Sequence, residues 1–306
     1  MIGQGNAPTN VHRLPVFPFT NATGVQLLTC QNSSIIDNSS NAYTLTVTGN
    51  ATPVNSPTYI PPIFPPVSTS FGGGYSHMTI LNNQSQMYEA GLGNSGQLGQ
   101  NNTTAYQSIP TQIGIANPYS PVLTDSGSWT QVSAGTSYTL GIKSNALLYA
   151  WGLNNTGQIG TGDTFNRSSP TQIGTNSWTQ VSASQSTGMA LDSSNNLWGW
   201  GLNTSGQMGI ASTNSASTPT QIGGQGYPTT TVPTRQLSPY SWTQVSAGNS
   251  FTLGINNKQK LFAWGVNSGG QVGDGSTINK SLPTQIGISN WSLISAGGSQ
   301  VVAVTT

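Results

Sequence analysis

Charged side chains are scarce in this sequence. Its 306 residues include only seven Lys and Arg and six Asp and Glu, which is 4% of the chain, against roughly 25% in ordinary soluble domains. With so few charges, the protein has no long-range electrostatic field. It therefore offers no electrostatic attraction for a nucleic acid. Asn, Ser, Thr, Gln and Gly must hydrate the surface instead, and no nucleic-acid partner is expected.

Side chains that usually carry chemistry are equally few. Cys30 is the only cysteine, which excludes an internal disulfide. His12 and His77 have no Cys, His or carboxylate at ligand spacing, so no metal site is predicted. The carboxylates do not recur in register as a catalytic pair would; they are Asp37, Glu89, Asp125, Asp163, Asp192 and Asp274. We therefore expect no enzyme, no cofactor and no metal.

Two aspartates stand at a repeated position. Asp163 and Asp274 both follow a GQxG segment. A calcium or phosphate role is conceivable there, but a loop aspartate that caps nearby backbone amides is the favoured interpretation. The glycines of GxNxxGQxG resemble a phosphate loop only superficially, because no Lys follows and no helix begins. They are predicted to be turn residues with positive φ, and His77 is assigned to the strand position that Thr139 and Thr252 occupy elsewhere.

Long apolar runs are also missing. No stretch approaches the ~20 apolar residues of a membrane span, so no membrane insertion is expected. The first residues, MIGQGNAPTNVHRLPVFPF, lack a basic segment followed by an apolar one. A secretory signal peptide is therefore not predicted.

What the sequence does contain is a repeat. Four segments that begin with tryptophan are similar: WTQVSAGTSYTLGI from Trp129, WTQVSASQSTGMAL from Trp178, WTQVSAGNSFTLGI from Trp242 and WSLISAGGSQVVAV from Trp291. The first three continue into a Trp-Gly step, a GQxG turn and PTQIG, and a more divergent copy precedes them with AGLGNSGQLG and PTQIG. Self-similarity at this period indicates a repeat architecture.

Within a unit the apolar period is two. The runs QVSAG, YTLGI, LLYAW and PTQIG are short, rich in β-formers and bounded by Gly, Asn and Ser, so four strands per unit are predicted. Small SAG residues suit a crowded centre, and the recurrent tryptophans suit the spaces between units, where they should be structural. Four-stranded units repeated around an axis form an all-β propeller.

At this point the residues resemble a known family. SAGxxxTLxI, LxxWGxNxxGQxG and PTQIG together are similar to the regulator of chromosome condensation repeat, a propeller blade of about fifty residues. The resemblance covers residues 67–306. That family usually forms seven blades, whereas this chain has four full units plus a half, so a closed propeller would need five blades. Two ways to complete the half blade remain open: strands from residues 17–60 of the same chain, or a neighbouring subunit. A half blade left open would expose strand edges.

The N-terminal residues carry a second resemblance. Residues 26–59 contain LLTCQ, IIDNSSNAYT and NATPVNSP, which resemble a segment of tailed-bacteriophage structural proteins at the start of a concanavalin-like or laminin-G-like domain. We predict an extended arm at residues 1–25 and a short β segment with a Pro-rich linker at residues 26–66. The resemblance implies that the arm anchors the chain to other virion proteins, or to its own copies in a homo-oligomer.

These observations favour a non-enzymatic virion surface protein of a tailed phage, such as a fibre, tail appendage or capsid decoration, located on the particle surface. The alternative is a cellular β-propeller scaffold or a small-GTPase exchange factor. Two insertions after PTQIG supply the candidate recognition residues Tyr119, Tyr227, Arg235 and Tyr240. Aromatic and guanidinium groups of this kind suit a host-surface glycan; the other interpretation is that these loops pack against adjacent subunits.

Overall fold

The computed structural model describes residues 68–103, 105–113, 127–223 and 241–306. The described ranges are all β and contain 18 strands and no helix. The predicted arm at residues 1–25 and the β segment and linker at residues 26–66 lie outside them, as do both long insertions.

The strands form four four-stranded antiparallel sheets and one two-stranded sheet, which we call blades 1 to 4 and the half blade. Blade 1 comprises β1 (Ser68–Gly73), β2 (His77–Asn82), β3 (Met87–Leu92) and β4 (Tyr106–Gln112). Blade 2 comprises β5 (Trp129–Ala134), β6 (Tyr138–Lys143), β7 (Leu148–Gly152) and β8 (Arg167–Ile173). Blade 3 comprises β9 (Trp178–Ala183), β10 (Thr187–Asp192), β11 (Leu197–Gly201) and β12 (Ala216–Ile222).

Blade 4 comprises β13 (Trp242–Ala247), β14 (Phe251–Asn256), β15 (Leu261–Gly265) and β16 (Lys280–Gln285), and the half blade comprises β17 (Trp291–Ala296) and β18 (Val301–Thr305). Each blade is a meander in sequence order, and the first strands of successive blades touch one another, so they line the centre. The repeat architecture, the four strands per unit and the terminal half blade are all confirmed. The described strands therefore form four full blades and a half blade around an axis, as in a five-bladed propeller.

In blades 1, 3 and 4, one polar side chain shapes the hairpin between the second and third strands. In blade 4 the Asn256 side-chain oxygen accepts hydrogen bonds from the backbone N–H groups of Lys258 and Lys260, at 3.0 and 2.9 Å. Asn82 and Asp192 do the same in blades 1 and 3. Short polar side chains that bond to the backbone two residues ahead favour turns over continued strand.

The GQxG turn joins blades 1, 2 and 3 to the blade that follows each of them. In blade 2, Gly157 has φ +81°, as predicted for a turn glycine, and the backbone oxygen of Gln158 accepts the indole N–H of Trp200 in blade 3 at 2.8 Å. A Cβ on Gly160 would lie 2.9 Å from that indole nitrogen, so the second glycine is needed for close approach. Trp151 and Trp264 make the same bond to Gln97 and Gln207.

A second set of bonds joins the first strands. At three successive junctions, a Gln and a Ser of one strand accept hydrogen bonds from two backbone N–H groups of the next strand, over 2.5 to 3.0 Å. The acceptor and donor pairs are Gln131 and Val181, Ser133 and Ala183, Gln180 and Val245, Ser182 and Ala247, Gln244 and Ile294, and Ser246 and Ala296. The repeated WTQVSA segment thus specifies the contact between blades.

The tryptophans fill the spaces between blades, as the repeat predicts. Six of the seven repeat-position indoles are at most 2% exposed: Trp129, Trp151, Trp178, Trp200, Trp242 and Trp264. Trp291 of the half blade is only half-buried, because nothing among the described residues covers its outer side as a full blade covers the others. Pairs such as Trp178 and Trp198 meet edge to face, with ring centroids 6.0 Å apart.

Removing a junction acceptor should destabilise the propeller. Gln180→Ala leaves the Val245 amide without its partner, so we expect the free energy of unfolding to fall by about 1–3 kcal/mol. The control is Gln285→Ala, on an exposed side chain of β16, with an expected change within about 0.5 kcal/mol. Urea denaturation measures both, and equal losses in the two variants would contradict the assignment.

Candidate functional site between the second and third blades

The residues predicted for recognition are not the ones that the structure brings together. Tyr119, Tyr227, Arg235 and Tyr240 all lie outside the described residues, so their role stays a prediction. A different surface carries the site that can be built from described side chains.

This site is a recess of about 510 Å³ between blades 2 and 3. Its lining is polar and aromatic and includes Arg167, Gln172, Asn176, Trp178, Trp198 and Thr218. Strand β8 forms one wall, and β11 and β12 form the other. A concave surface with a few placed polar groups around an aromatic ring is the usual form of a ligand site.

Trp198 is the aromatic wall of the recess. Its indole N–H donates to Asp192 Oδ2 at 2.9 Å, and its ring meets Trp178 edge to face. Burial acts to raise the pKa of Asp192, but hydrogen bonds from Asn196, Trp198 and Ser194 outweigh it and hold the pKa below its ordinary value. Asp192 is therefore ionised at neutral pH, and its carboxylate fixes the indole in place.

Arg167 supplies the guanidinium of the recess. Its Nη2 lies 2.6 Å from Asp163 Oδ2, and its Nη1 donates to the backbone oxygen of Phe165 at 2.8 Å. A backbone hydrogen bond from Phe165, together with Arg167, lowers the pKa of Asp163. The pair is partly exposed and neutral overall, so it orders the loop and adds no net charge to the recess.

The recess differs from its equivalents in the other blades. The position of Trp198 is taken by Tyr88, Tyr149 and Phe262, and that of Arg167 by Gln107, Ala216 and Lys280. Only the junction of blades 2 and 3 combines an indole with a guanidinium. The extra tryptophan in LWGW was the sequence signal for this site, but the repeat alone does not reveal which strands flank it.

The aspartates after GQxG have the structural role that was favoured. Asp163 Oδ1 accepts the Phe165 amide and Asp274 Oδ1 accepts the Ser276 amide, each at 3.0 Å. Asp274 also pairs with Lys280 at 2.8 Å. The buried asparagines of WGxN were missed as structural residues. Asn203 shows their role: it donates to two backbone oxygens and accepts the Met208 amide.

Blade 1 contains a second unusual feature, a buried polar cluster. Glu89 and Thr79 lie opposite each other on β3 and β2, and both are 0% exposed. None of the described residues makes a well-formed hydrogen bond to either Glu89 oxygen. Ala150, Gly199 and Ala263 occupy the same position in the other blades. Burial raises the pKa of Glu89 well above its usual value, and the nearby Thr79 hydroxyl opposes this only in part.

His77 is a further buried polar residue of blade 1, and its predicted position was wrong by one residue. It pairs with Gly91 as Tyr138 pairs with Gly152, so its equivalents are Tyr138, Thr187 and Phe251. Its Nε2 lies 2.9 Å from Thr139 Oγ1 in blade 2. Burial lowers the pKa of His77 to about 4, so the ring is neutral at neutral pH.

Glu89 should make stability depend on pH. Because its folded-state pKa is raised, its contribution is intact below the unfolded pKa near 4.5 and is lost as pH rises toward the folded value. Glu89→Gln removes that loss, so the variant should become progressively more stable than the parent above pH 4.5, by at most about 1.4 kcal/mol per pH unit. Denaturation from pH 4.5 to 9 measures it, and a pH-independent difference would contradict the prediction.

His77 acts in the other direction. Its lowered pKa gives stability that is present above pH 6.5 and is lost as pH falls toward about 4. The acid side of the profile should therefore remain in Glu89→Gln, which separates the two groups in one experiment.

The described residues contain no group of three or more His, Cys, Asp or Glu side chains that would suit a metal ion. In the same ranges, no helix has the length and apolar character needed to cross a membrane.

The fold and the repeated junctions define a β-propeller built from blades of one kind. Family comparison agrees: the regulator of chromosome condensation (RCC1) repeat matches residues 85–142, 145–191, 194–255 and 259–304. These matches cover more than half of the chain, so the protein belongs to the RCC1 repeat family. The resemblance of residues 26–59 to phage proteins is not shown by any comparison and stays a prediction.

Three individual relatives share less than a third of their residues with this chain over the aligned regions. The ultraviolet-B receptor UVR8 of Arabidopsis thaliana is 27% identical over 211 residues, which is 69% of this chain and 32% of the receptor. The structure of Prp20p from Saccharomyces cerevisiae superimposes with a TM-score of 0.60 at 18% identity, over 76% of this chain and 54% of that chain. Human WBSCR16 gives 0.51 at 18% identity, over 77% and 71%. The chain thus spans about a third of UVR8 and about half of Prp20p, and the structures establish the fold alone.

Proposed function

We propose that this chain is a non-catalytic interaction module whose recess between blades 2 and 3 anchors an uncharged polar partner. The observation that carries the proposal is that the described carboxylates all have structural partners or are buried. Asp163 and Asp274 pair with basic side chains, Asp192 fixes an indole, and Glu89 is buried. Every described carboxylate therefore has a structural environment, and none faces the recess as an acid or base.

The chemistry of the recess indicates the class of partner. An indole face stacks on flat or weakly polar groups, and the amide and hydroxyl groups of Gln172, Asn176 and Thr218 donate and accept hydrogen bonds. Trp and Arg are also the side chains that dominate binding hot spots. An uncharged peptide segment or a neutral saccharide fits this lining better than a charged ligand.

The solved relatives bind other partners. The Prp20p study concerns binding to Gsp1p and histones, and a second yeast structure shows RCC1 bound to Kap60. Histones are basic, so a surface that binds them needs acidic groups, and this chain has six Asp and Glu in total. The family resemblance implies that exchange activity uses a charged propeller face, and this chain has few charges to form one. We therefore favour a scaffold over an exchange factor.

Arrays of neutral oligosaccharides and uncharged peptides test the proposal. Trp198→Ala removes the stacking face and Thr218→Trp fills the recess from an exposed position, so both should weaken binding at least about tenfold. Tyr88→Ala, at the equivalent position of blade 1, should leave it unchanged. If both recess variants still bind with unchanged affinity, the binding site lies on another surface and the proposal is wrong.

The same protein should be tested with small GTPases. Accelerated nucleotide release from a small GTPase, retained in Trp198→Ala, would favour the exchange-factor alternative and count against the scaffold.

A virion surface protein of a tailed phage is the second candidate, with the particle surface as its location. It is favoured by the neutral polar composition, 4% charged, and by the phage-like residues 26–59. In this role residues 1–25 would anchor the chain to other virion proteins or to its own copies, and Tyr119, Tyr227, Arg235 and Tyr240 would contact a host glycan. Electron microscopy of virions labelled with an antibody to the propeller tests it, and absence from particles would remove it.

A further inference from the structure

Exposed apolar side chains concentrate at the two ends of the propeller. Among the described residues twelve large apolar side chains are exposed, and ten of them lie in blade 1 or after β16. The five in blade 1 are Phe71, Tyr75, Met78, Tyr106 and Ile109, and the five after β16 are Ile288, Leu293, Val301, Val302 and Val304. Blades 2, 3 and 4 cover one another and contribute only Phe165 and Ile278.

The two ends occupy matching positions of the repeated junction. Leu293 pairs with Val304 in the half blade as Gln131 pairs with Ile142 in blade 2. Leu293 and Ser295 therefore stand where Gln131 and Ser133 accept hydrogen bonds from the next blade.

On the other side, Phe71 pairs with Ile80 as Val132 pairs with Gly141. Phe71 and Gly73 thus stand at the positions whose backbone N–H groups donate, those of Val181 and Ala183 in blade 3. A junction between the half blade and blade 1 would set Ser295 Oγ against the Gly73 amide, as the equivalent serines are set at the three junctions that follow blades 2, 3 and 4. Leu293 would meet Phe71, so an apolar contact would replace the bond that glutamine makes elsewhere.

Within one chain these ends do not meet. Phe71 is 77% exposed and Leu293 53% exposed, and no extensive contact joins β17 or β18 to the described strands of blade 1. The rotation from blade to blade is fixed by indole hydrogen bonds at the first three junctions and by the Gln244 and Ser246 acceptors at the last one. Bringing the ends of one chain together would require these bonds to change at several junctions, whereas a second copy can dock without changing any.

We propose that the half blade of one copy docks on the β1 and β2 face of a second copy, as a head-to-tail continuation of the blade junction. The interface is heterologous, because the two surfaces differ. It covers Phe71, Leu293 and the other exposed apolar side chains on the two facing sheet surfaces, and apolar patches of this kind mark interaction sites.

Sedimentation velocity of the full chain tests the proposal. The parent should form species larger than the 31.8 kDa monomer in a concentration-dependent manner. Phe71→Lys and Leu293→Lys should each give monomers, because each places a charge in the apolar contact. The matched control is Ile278→Lys, at a 70% exposed apolar residue outside both ends, which should assemble like the parent. Melting temperatures check that each variant is folded.

Mixing the two blocked variants gives the sharper result. Phe71→Lys keeps an intact half blade and Leu293→Lys keeps an intact blade 1, so a one-to-one mixture should form dimers although each alone is monomeric. A parent that is monomeric at all concentrations, or a mixture that stays monomeric, would overturn the proposal.

A photo-crosslinker at position 293 identifies the occupant. In a mixture of ¹⁴N- and ¹⁵N-labelled chains, cross-links from one label to β1 or β2 of the other support the second copy. Cross-links confined to one chain, whether to residues 26–66 or to its own blade 1, would overturn it.

Discussion

The hydrogen-bonded junction between blades is the constraint on which the rest of this structure depends. In blades 1 to 3, the turn between the third and fourth strands contains a Gln whose backbone oxygen accepts the indole N–H of the next blade, as Gln158 does for Trp200. The first strands add side-chain acceptors such as Gln180 for the Val245 amide. Because these bonds are directed at backbone groups, they set the orientation of one blade on the next and leave the outer surface free to vary.

Free variation of the outer surface explains where the recess lies. The junction requires the buried Trp178 and Trp200, but it places no demand on the third-strand position that carries Trp198. There the repeat accepts Trp, Tyr or Phe. One blade pair has acquired an indole and a guanidinium beside a rigid framework, which is the arrangement expected when binding residues are placed on a stable scaffold.

Blade 1 contains the one carboxyl group of the described residues that is fully buried, Glu89. Two carboxylates elsewhere in the described residues pair with a basic side chain, Asp163 with Arg167 and Asp274 with Lys280, and the buried Lys143 ammonium lies over the Trp129 and Tyr149 rings. Glu89 departs from this pattern, since it lies buried where the other blades have Ala or Gly. Burial of a carboxyl group without a charged partner favours its neutral form. Blade 1 therefore has a protonated carboxyl group at the position where the other blades have a small apolar residue.

The sequence by itself determined the repeat, the four strands of each blade, the turn glycines and the terminal half blade. These features follow from local periodicity and from residues that few backbone conformations accept. The tertiary structure alone decided the His77 register, the burial of Glu89 and the placement of β8 opposite the strands of blade 3 around the recess. Such features depend on which side chains meet across a junction, and residues such as Gln158 and Trp200, 42 positions apart, show no such relation in the linear sequence.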